Sequence, residues 1–358
     1  MGIEKLDSNF AEKKVTTAGE TRRYKLPCAP FDLYGVYFDE KNDRFVRMDL
    51  DVAQSLNEKV LHFAKHTSGG RVRFSTDSTF FGVAVTYDCL NRMPHMPLVG
   101  SSGMTLLEEQ ENGALRLIHS VRPPYQQEKG YTSSVKLLGG KMRNYILYLP
   151  LYNFISTLEI ELDANAEVVG GKKYRDELPI VYYGSSITQG GCAGRPDNCY
   201  PAFISKWNKI DYINLGFSGN GKGEQAMAEY IGNLPCSLFV MDYDYNAPTV
   251  EHLDKTHFPF YRTFRKHQPQ TPILFISRPN FELDEKKAKA REAIIRRSYR
   301  KARALGDENV YFLAGKTLFG SEDRVSCTVD GTHPNDLGFY RMAKKIYQKM
   351  KQIDPKFQ

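Results

Sequence analysis

The strongest constraint on the fold is a regular alternation of apolar segments and amphipathic segments in residues 179–352 of this 358-residue chain. Short, continuously apolar segments predict strands at 180–183, 212–215, 238–241, 273–276 and 310–313. The helical patterns between and after them run at 200–207, 223–231, 249–266, 284–305 and 336–351. Strands that are apolar on both faces and separated by helices predict an α/β fold, in which helices cover both sides of a parallel sheet.

The first half of the chain has a different pattern. Segments that alternate apolar and polar residues, or are rich in β-forming residues, occur at 71–74, 145–148 and 157–162, with glycine and proline between them. This pattern predicts an antiparallel β-sandwich, with one helix near 51–66. Because the character of the sequence changes at Gly170-Gly171, we predict an accessory domain at 1–171 and a second domain at 172–358.

Composition argues against several classes of protein. The formal net charge is +7, and the densest basic stretch, 284–305, falls in a predicted helix without any nucleic-acid-binding motif. The six cysteines form no CxxC pair, so neither a zinc site nor a thioredoxin-like motif is predicted. The sequence also contains no nucleotide-binding site, and we predict no metal and no cofactor. Segment 1–14 lacks the apolar core of a signal peptide, and no apolar run reaches the ~20 residues that span a bilayer. We expect a soluble, cytoplasmic protein without nucleic-acid or membrane partners.

Three predicted strand ends carry residues that suit a catalytic cleft, since ligands of open α/β sheets bind beyond the carboxyl ends of the strands. Ser186 lies in Gly184-Ser185-Ser186-Ile187-Thr188, where a strand-to-helix turn exposes a hydroxyl and a backbone N–H. Gly219 lies in a glycine-rich segment, 214–221, that lets the backbone approach a ligand closely. Asn246 follows the third strand, where it could donate a side-chain N–H. Each segment alone is also compatible with an ordinary helix cap or turn.

A further motif precedes the C-terminal helix. The sequence Asp330-Gly331-Thr332-His333 puts a carboxylate and an imidazole three residues apart on one loop, close enough for a hydrogen bond. This arrangement orients a histidine base and stabilises its cation.

Together, and in this order, the four segments resemble the SGNH (GDSL-like) hydrolase superfamily over residues 179–352. The resemblance implies a flavodoxin-like α/β/α domain and a catalytic triad of Ser186, His333 and Asp330. It also implies an oxyanion hole made by the N–H groups of Ser186 and Gly219 and by the side chain of Asn246.

The chain departs from the family pattern at two blocks. Ser185 stands where the family usually has an aspartate that is not part of the triad, and the third block keeps Asn246 without its usual glycine and aspartate. The N-terminal half is similar to the jelly-roll-like β-sandwich that precedes the catalytic domain in one branch of these hydrolases. That branch is named for a Gly-x-Asp-Leu-Tyr motif, which we place at 103–107, where the match is poor.

The layout is also similar to that of two-domain carbohydrate acetylesterases, which implies removal of acetyl groups from plant-derived oligosaccharides of the mannan or xylan type. The loop after Ser186, residues 190–198, is polar and small, and we see no apolar loop near the motifs, so a carbohydrate is favoured over a lipid. Candidate substrate contacts are Tyr34, Tyr37, His95, Tyr125 and Arg195. Two alternatives remain: a hydrolase of lipids, thioesters or other small esters with the same triad, and a non-catalytic glycan-binding protein.

Overall fold

A computed structural model describes residues 3–7, 10–11, 15–17 and 19–358, so the predictions made on segment 1–14 lie partly outside the described residues. The N-terminal half contains two antiparallel sheets that face each other. Its strands are β1 Thr21–Lys25, β2 Asp32–Tyr34, β3 Tyr37–Asp39, β4 Arg44–Val46, β5 Arg71–Thr76, β6 Phe80–Thr86, β7 Met104–Glu109, β8 Leu115–Val121, β9 Gly130–Lys136, β10 Arg143–Tyr148, β11 Thr157–Asp163 and β12 Val168–Gly170.

The predicted β-sandwich is confirmed. One sheet has the order β1-β11-β6-β9, and the other has the order β12-β5-β10-β7-β8, with β2 also paired to β5. Strand β11 shows why the sequence alternates: Leu158, Ile160 and Leu162 are buried, while the residues between them are half-exposed. Side chains of a strand point alternately to its two faces, so this strand presents one apolar face to the core between the sheets.

The helix predicted near 51–66 is split in two, α1 Leu50–Leu56 and α2 Glu58–Ala64. The break is at Asn57, whose backbone is extended and whose side-chain oxygen accepts hydrogen bonds from the backbone N–H groups of Lys59 and Val60. Asparagine is one of the favoured N-cap residues, and here its capping of α2 interrupts the helix. Both helices pack on the C-terminal half, where Ala53 and Val60 join the core around Val181.

The C-terminal half is the predicted flavodoxin-like α/β/α domain. Its strands are β13 Ile180–Gly184, β14 Tyr212–Gly216, β15 Leu238–Asp242, β16 Ile273–Ile276 and β17 Val310–Leu313. They are parallel and have the order β14-β13-β15-β16-β17, the 2-1-3-4-5 order of flavodoxin-like folds. A short helix, α3 Leu98–Ser102, belongs to the first half; the second half adds α4 Ser186–Gln189, α5 Tyr200–Asn208, α6 Gln225–Gly232, α7 Val250–His267, α8 Glu285–Ala304 and α9 Asp336–Ile353.

Every predicted strand and helix of this half is present, with bounds within two residues of those expected. In β13 the alternate residues Ile180 and Tyr182 face the core beneath α5 and α9, whereas Val181 and Tyr183 face the core beneath α6 and α7. A strand buried on both faces is what a continuously apolar sequence indicates. Among the helices in the described part of the chain, none is long and apolar enough to cross a membrane.

The two halves are fixed to each other through their linker and through buried side chains. A carboxylate oxygen of Asp32 accepts a hydrogen bond from the Gly171 backbone at 3.0 Å, and the same carboxylate pairs with Lys173. Tyr34 packs edge-on against Tyr174, with 4.9 Å between ring centroids. The first residues of the linker, 171–174, are therefore bound to the sandwich. The boundary at 171 and 172 stays a prediction, and core residues from both halves pack together across it.

Candidate active site

The predicted site residues lie at the carboxyl ends of β13, β14 and β15 and on the loop before α9. Strand β13 is the point where the strand order reverses, so its carboxyl end opens into the crevice where ligands of such sheets bind. Ser186 follows β13, Gly219 follows β14 and Asn246 follows β15. Parallel strands therefore bring three residues from distant parts of the sequence to one edge.

Ser186 is the first residue of α4, and its position depends on its neighbours. Ser185, which replaces the family's aspartate, caps the helix by accepting a hydrogen bond from the Ile187 backbone N–H at 3.1 Å. The residue before it must be small, because a Cβ on Gly184 would lie 2.1 Å from Thr188 Oγ1. As the first residue of a helix, Ser186 has a backbone N–H with no intrahelical acceptor, so this group is free to bind an anion.

Ser186, His333 and Asp330 form one line of hydrogen bonds. Ser186 Oγ lies 2.9 Å from His333 Nε2, and His333 Nδ1 lies 2.7 Å from Asp330 Oδ2. The second carboxylate oxygen of Asp330 accepts the backbone N–H groups of Thr332 and His333. Burial acts to raise the pKa of Asp330, but these hydrogen bonds outweigh it and lower the pKa to about 2. The carboxylate is therefore charged at any pH near neutrality and can hold the imidazole with Nδ1 protonated.

Two groups of the predicted oxyanion hole lie on neighbouring loops. Gly219 has φ +68°, a backbone conformation that favours glycine, and its N–H donates to no group among the described residues. The Asn246 side-chain nitrogen donates one hydrogen bond to the Phe217 carbonyl at 2.8 Å, which leaves its second N–H available. The Asn246 bond also ties the loop after β15 to the loop after β14.

Sequence reasoning missed the residue that links the nucleophile helix to the Gly219 loop. Gln189, at the end of α4, accepts the backbone N–H of Ser218 at 3.0 Å and donates to the Leu151 carbonyl at 3.1 Å. Its nitrogen also lies 3.2 Å from Nδ1 of His66, which is buried in the N-terminal half. These partners are distant in sequence, so no local pattern could have revealed them.

A buried acid behind the nucleophile was also missed. Asp242 ends β15 and lies within hydrogen-bond distance of Tyr200 at 3.1 Å and Thr188 at 3.3 Å. Burial raises its pKa to about 8, against the hydrogen bond that Tyr200 donates. The side chain is therefore largely protonated at neutral pH. It contacts α4 through Thr188.

A pocket of about 810 Å³ opens beside the triad, between the two halves. Much of its lining is apolar, contrary to the expectation of no apolar loop near the motifs: some of the apolar residues come from the N-terminal half, and others flank the Asp330–His333 motif. They are Pro94, Met96 and Pro97 of the N-terminal half and Val329 and Leu337 of the C-terminal half.

The candidate substrate contacts differ in where they lie. His95 lines this pocket, and its ring centroid is 5.7 Å from that of His333. Tyr34 instead packs against the linker. Tyr125 is 75% exposed, and its carbonyl accepts a hydrogen bond from Arg92, on the segment that leads to His95. Tyr37 is exposed at the start of β3, and Arg195 forms an ion pair inside loop 190–198.

Family profiles match both halves of the chain. The profile of the GDSL-like lipase/acylhydrolase family matches residues 177–351, and the GxDLY profile, which describes the N-terminus of SGNH-hydrolase-type esterases, matches residues 25–168. No curated protein matches the chain.

Several solved structures are similar over nearly the whole length. A protein from Bacteroides ovatus described as a GDSL-like lipase is 29% identical with a TM-score of 0.83, covering 93% of this chain and 98% of its own. A salicylyl-acyltransferase from a tetracycline biosynthetic pathway is 20% identical with a TM-score of 0.75, covering 93% of this chain and 97% of its own. A family two carbohydrate esterase from Cellvibrio japonicus is 12% identical with a TM-score of 0.60, covering 95% and 99%. At these identities the last two show the fold alone.

The range matched by the GxDLY profile, 25–168, contains a segment that agrees with the Gly-x-Asp-Leu-Tyr motif at more positions than 103–107 does. Residues 103–107 contribute mainly to β7, whereas Asp32-Leu33-Tyr34 reproduces the last three letters of the motif and forms β2, with Pro30 in place of the glycine. Asp32 and Tyr34 are the residues that bind the linker. The substitution of the glycine hid this match in the sequence.

Proposed function

Since this chain belongs to the GDSL-like lipase/acylhydrolase family, we propose that it is a serine esterase that removes acetyl groups from plant-derived oligosaccharides, of the mannan or xylan type. The line of hydrogen bonds from Ser186 through His333 to Asp330 is the single observation that carries the esterase part of this proposal. A protein that only bound glycans would not need that alignment, so we set that alternative aside.

The proposed reaction uses these residues in two half-reactions. Ser186 Oγ attacks the ester carbonyl while its proton passes to His333 Nε2, and Asp330 stabilises the imidazolium. The N–H groups of Ser186 and Gly219 and the side chain of Asn246 bind the oxyanion. His333 then gives its proton to the departing sugar oxygen, which leaves an acetyl-enzyme. Water, deprotonated by His333, attacks the acetyl carbonyl, acetate leaves, and the proton returns to Ser186.

Two observations support a carbohydrate as the substrate. The His95 imidazole faces the pocket beside the triad and has no hydrogen-bond partner in the described part of the chain, so it is free to bind a hydroxyl group. The fold is shared along the whole chain with the carbohydrate esterase of Cellvibrio japonicus and with an acetyl xylan esterase of Butyrivibrio proteoclasticus, which is 14% identical with a TM-score of 0.57. The substrate itself is inferred, since those likenesses concern the fold.

The apolar lining of the pocket favours a second candidate function. An ester with an apolar alcohol or acyl group would bury its surface against Pro94, Met96, Pro97, Val329 and Leu337. This alternative is the hydrolysis of a lipid, a thioester or another small ester by the same triad. The Bacteroides ovatus protein is likewise described as a lipase.

The deciding experiment measures acetate released from acetylated mannan, xylan and pectin oligosaccharides by the wild type and by Ser186→Ala. We expect release from one glycan and a loss of ~10⁴–10⁶ in turnover in the variant, because the nucleophile is gone. Ser321→Ala is the matched control: it removes the hydroxyl of an exposed serine outside the site and should keep most of the activity.

Other outcomes decide between the candidates. Release from no glycan, with Ser186-dependent hydrolysis of aryl esters that increases from acetyl to butyryl, would establish the second candidate. Activity that survives in Ser186→Ala, with the fold intact by circular dichroism, would exclude both. The cytoplasmic location stays a prediction; in that compartment the substrates would be imported oligosaccharides rather than intact polymers.

A further inference from the structure

His95 and Cys192 lie close to His333, the proposed general base, but take no part in the proposed proton transfers. The ligand atoms of His95, Cys192 and His333, one ring nitrogen from each histidine and the cysteine sulfur, lie within 4.8 Å of one another. Zinc binds histidine nitrogen and cysteine sulfur at ~2.0–2.3 Å with tetrahedral geometry, so the ligand atoms of such a site stand ~3.3–3.8 Å apart. A movement of about 1 Å by these side chains would therefore bring the three ligand atoms to the spacing of a zinc site.

We propose that His95, Cys192 and His333 form an inhibitory site for Zn²⁺ or a similar divalent transition-metal ion. The inhibitory effect rests on the proposed esterase function, because the ion would occupy His333 Nε2, the atom that takes the proton from Ser186. The ion binding itself does not depend on any substrate.

His333 already has the surroundings of a metal ligand. A histidine that binds a metal through one nitrogen usually donates its other N–H to a carboxylate or a carbonyl, which fixes the ring and makes it more basic. His333 Nδ1 lies 2.7 Å from Asp330, which leaves Nε2, now 2.9 Å from Ser186 Oγ, as the nitrogen available to a metal ion. The same carboxylate supplies negative charge close to the proposed cation.

The other two ligands come from opposite sides of the pocket, and each lies on a segment with buried neighbours or hydrogen bonds. Cys192 is 3% exposed, has φ +73°, and lies on a loop held by a 2.7 Å hydrogen bond from the Gly194 N–H to Asp336. His95 lies between two prolines in Pro94-His95-Met96-Pro97, with Met96 buried. Because both side chains line the same open pocket, an ion can reach them from solvent.

The binding step balances as a ligand exchange. Zn²⁺ gives up water ligands, the Cys192 thiol loses its proton to solvent as the Zn–S bond forms, and Nε2 exchanges its hydrogen bond with Ser186 for a bond to the metal. Water keeps the fourth position. Removal of the ion by a chelator reverses each step and returns Nε2 to Ser186.

The first test is inhibition by Zn²⁺, measured with an aryl acetate as substrate and each rate divided by that of the same variant without metal. We expect inhibition of the wild type that a chelator reverses, and half-inhibitory concentrations at least ~10-fold higher in His95→Asn and Cys192→Ser, because each loses one ligand. Cys89→Ser is the matched control, since Cys89 is exposed and outside the cluster. Equal inhibition of all four proteins, or no inhibition of the wild type, would overturn the proposal.

The second test is independent of catalysis. Co²⁺ added to the intact protein should bind with one ion per chain and give a thiolate-to-cobalt absorption band. The band should persist in Ser186→Ala and disappear in Cys192→Ser. Lack of such a band in the wild type would contradict the metal site even if the esterase is active. A band in a protein that hydrolyses no ester would keep the site and reject the proposed function.

Discussion

Asp330 accepts hydrogen bonds from its own loop and from the imidazole, and this makes it the most constrained charge of the site. Replacement by asparagine would present an N–H₂ group to Nδ1 and favour the wrong tautomer of His333. We expect Asp330→Asn to lower kcat by ~10³–10⁴ with the fold intact. Steady-state kinetics on an aryl acetate would measure it, with Asp323→Asn as a control on an exposed acid nearby. A variant that kept a tenth of the activity would speak against the assigned role.

Asp242 gives a prediction about stability and pH. Its pKa is about 8 in the folded protein, while an aspartate of the unfolded chain ionises near pH 4. The folded state therefore holds the extra proton between these values, and the free energy of unfolding falls as pH rises from ~4 to ~8. Asp242→Asn keeps a polar group of similar shape without this titration. We expect its Tm, relative to wild type, to rise between pH 5 and pH 8.5 in thermal melts; a constant difference would refute the idea.

Helix α4, with four residues, is the shortest α-helix in the described part of the chain, and it begins with Ser186. Its last residue, Gln189, joins it to the Gly219 loop through Ser218 and to the N-terminal half through Leu151. We predict that Gln189→Ala lowers kcat by at least ~10-fold and changes KM little, because the Gly219 loop loses one of its supports. The loss should be smaller than the ~10²–10³-fold loss that follows removal of one oxyanion donor. Gln225→Ala, on α6, is the control. A fall in Tm with unchanged kcat would show that Gln189 is only structural.

The sequence predicted elements well where the signal is local, and failed where a contact spans the chain. The strands and helices after residue 179 follow from hydrophobic periodicity, and the four motifs meet because parallel strands end at one edge. The single helix expected near 51–66 divides at Asn57, because the capping bonds of that residue outweigh a mixed helical pattern. The positions of Gln189 against His66, and of His95 against His333, depend on tertiary packing that no spacing encodes.

At the scale of the whole molecule, the two halves are joined by an ion pair between a fully buried arginine and a half-buried aspartate. Arg71, on β5, is fully buried; its guanidinium lies 2.6 Å from Asp211 and 3.9 Å from the centroid of the Tyr212 ring. Breaking a buried pair by removing one partner is costly. We expect Arg71→Met to lower the free energy of unfolding by ~1.5–3 kcal/mol in urea denaturation, because the hydrogen bond to charged Asp211 is lost while Asp211 can still reach water. Arg23→Ala, which removes exposed pairs, should cost less than ~1 kcal/mol; equal losses would contradict this account.

The pocket between the halves has an evolutionary consequence. One side consists of the segment 94–97 from the sandwich, and the other side includes the loop that carries Asp330 and His333. Selection on substrate preference can therefore act on segment 94–97 while the loop that carries Asp330 and His333 stays constant. Mutations in segment 94–97 do not replace either of these two proposed catalytic residues. Because Asp32 and Tyr34 hold the linker, such mutations alter the shape of the pocket without altering the angle between the halves. Descendants of one ancestral enzyme could in this way acquire different esters as substrates while inheriting the same chemistry.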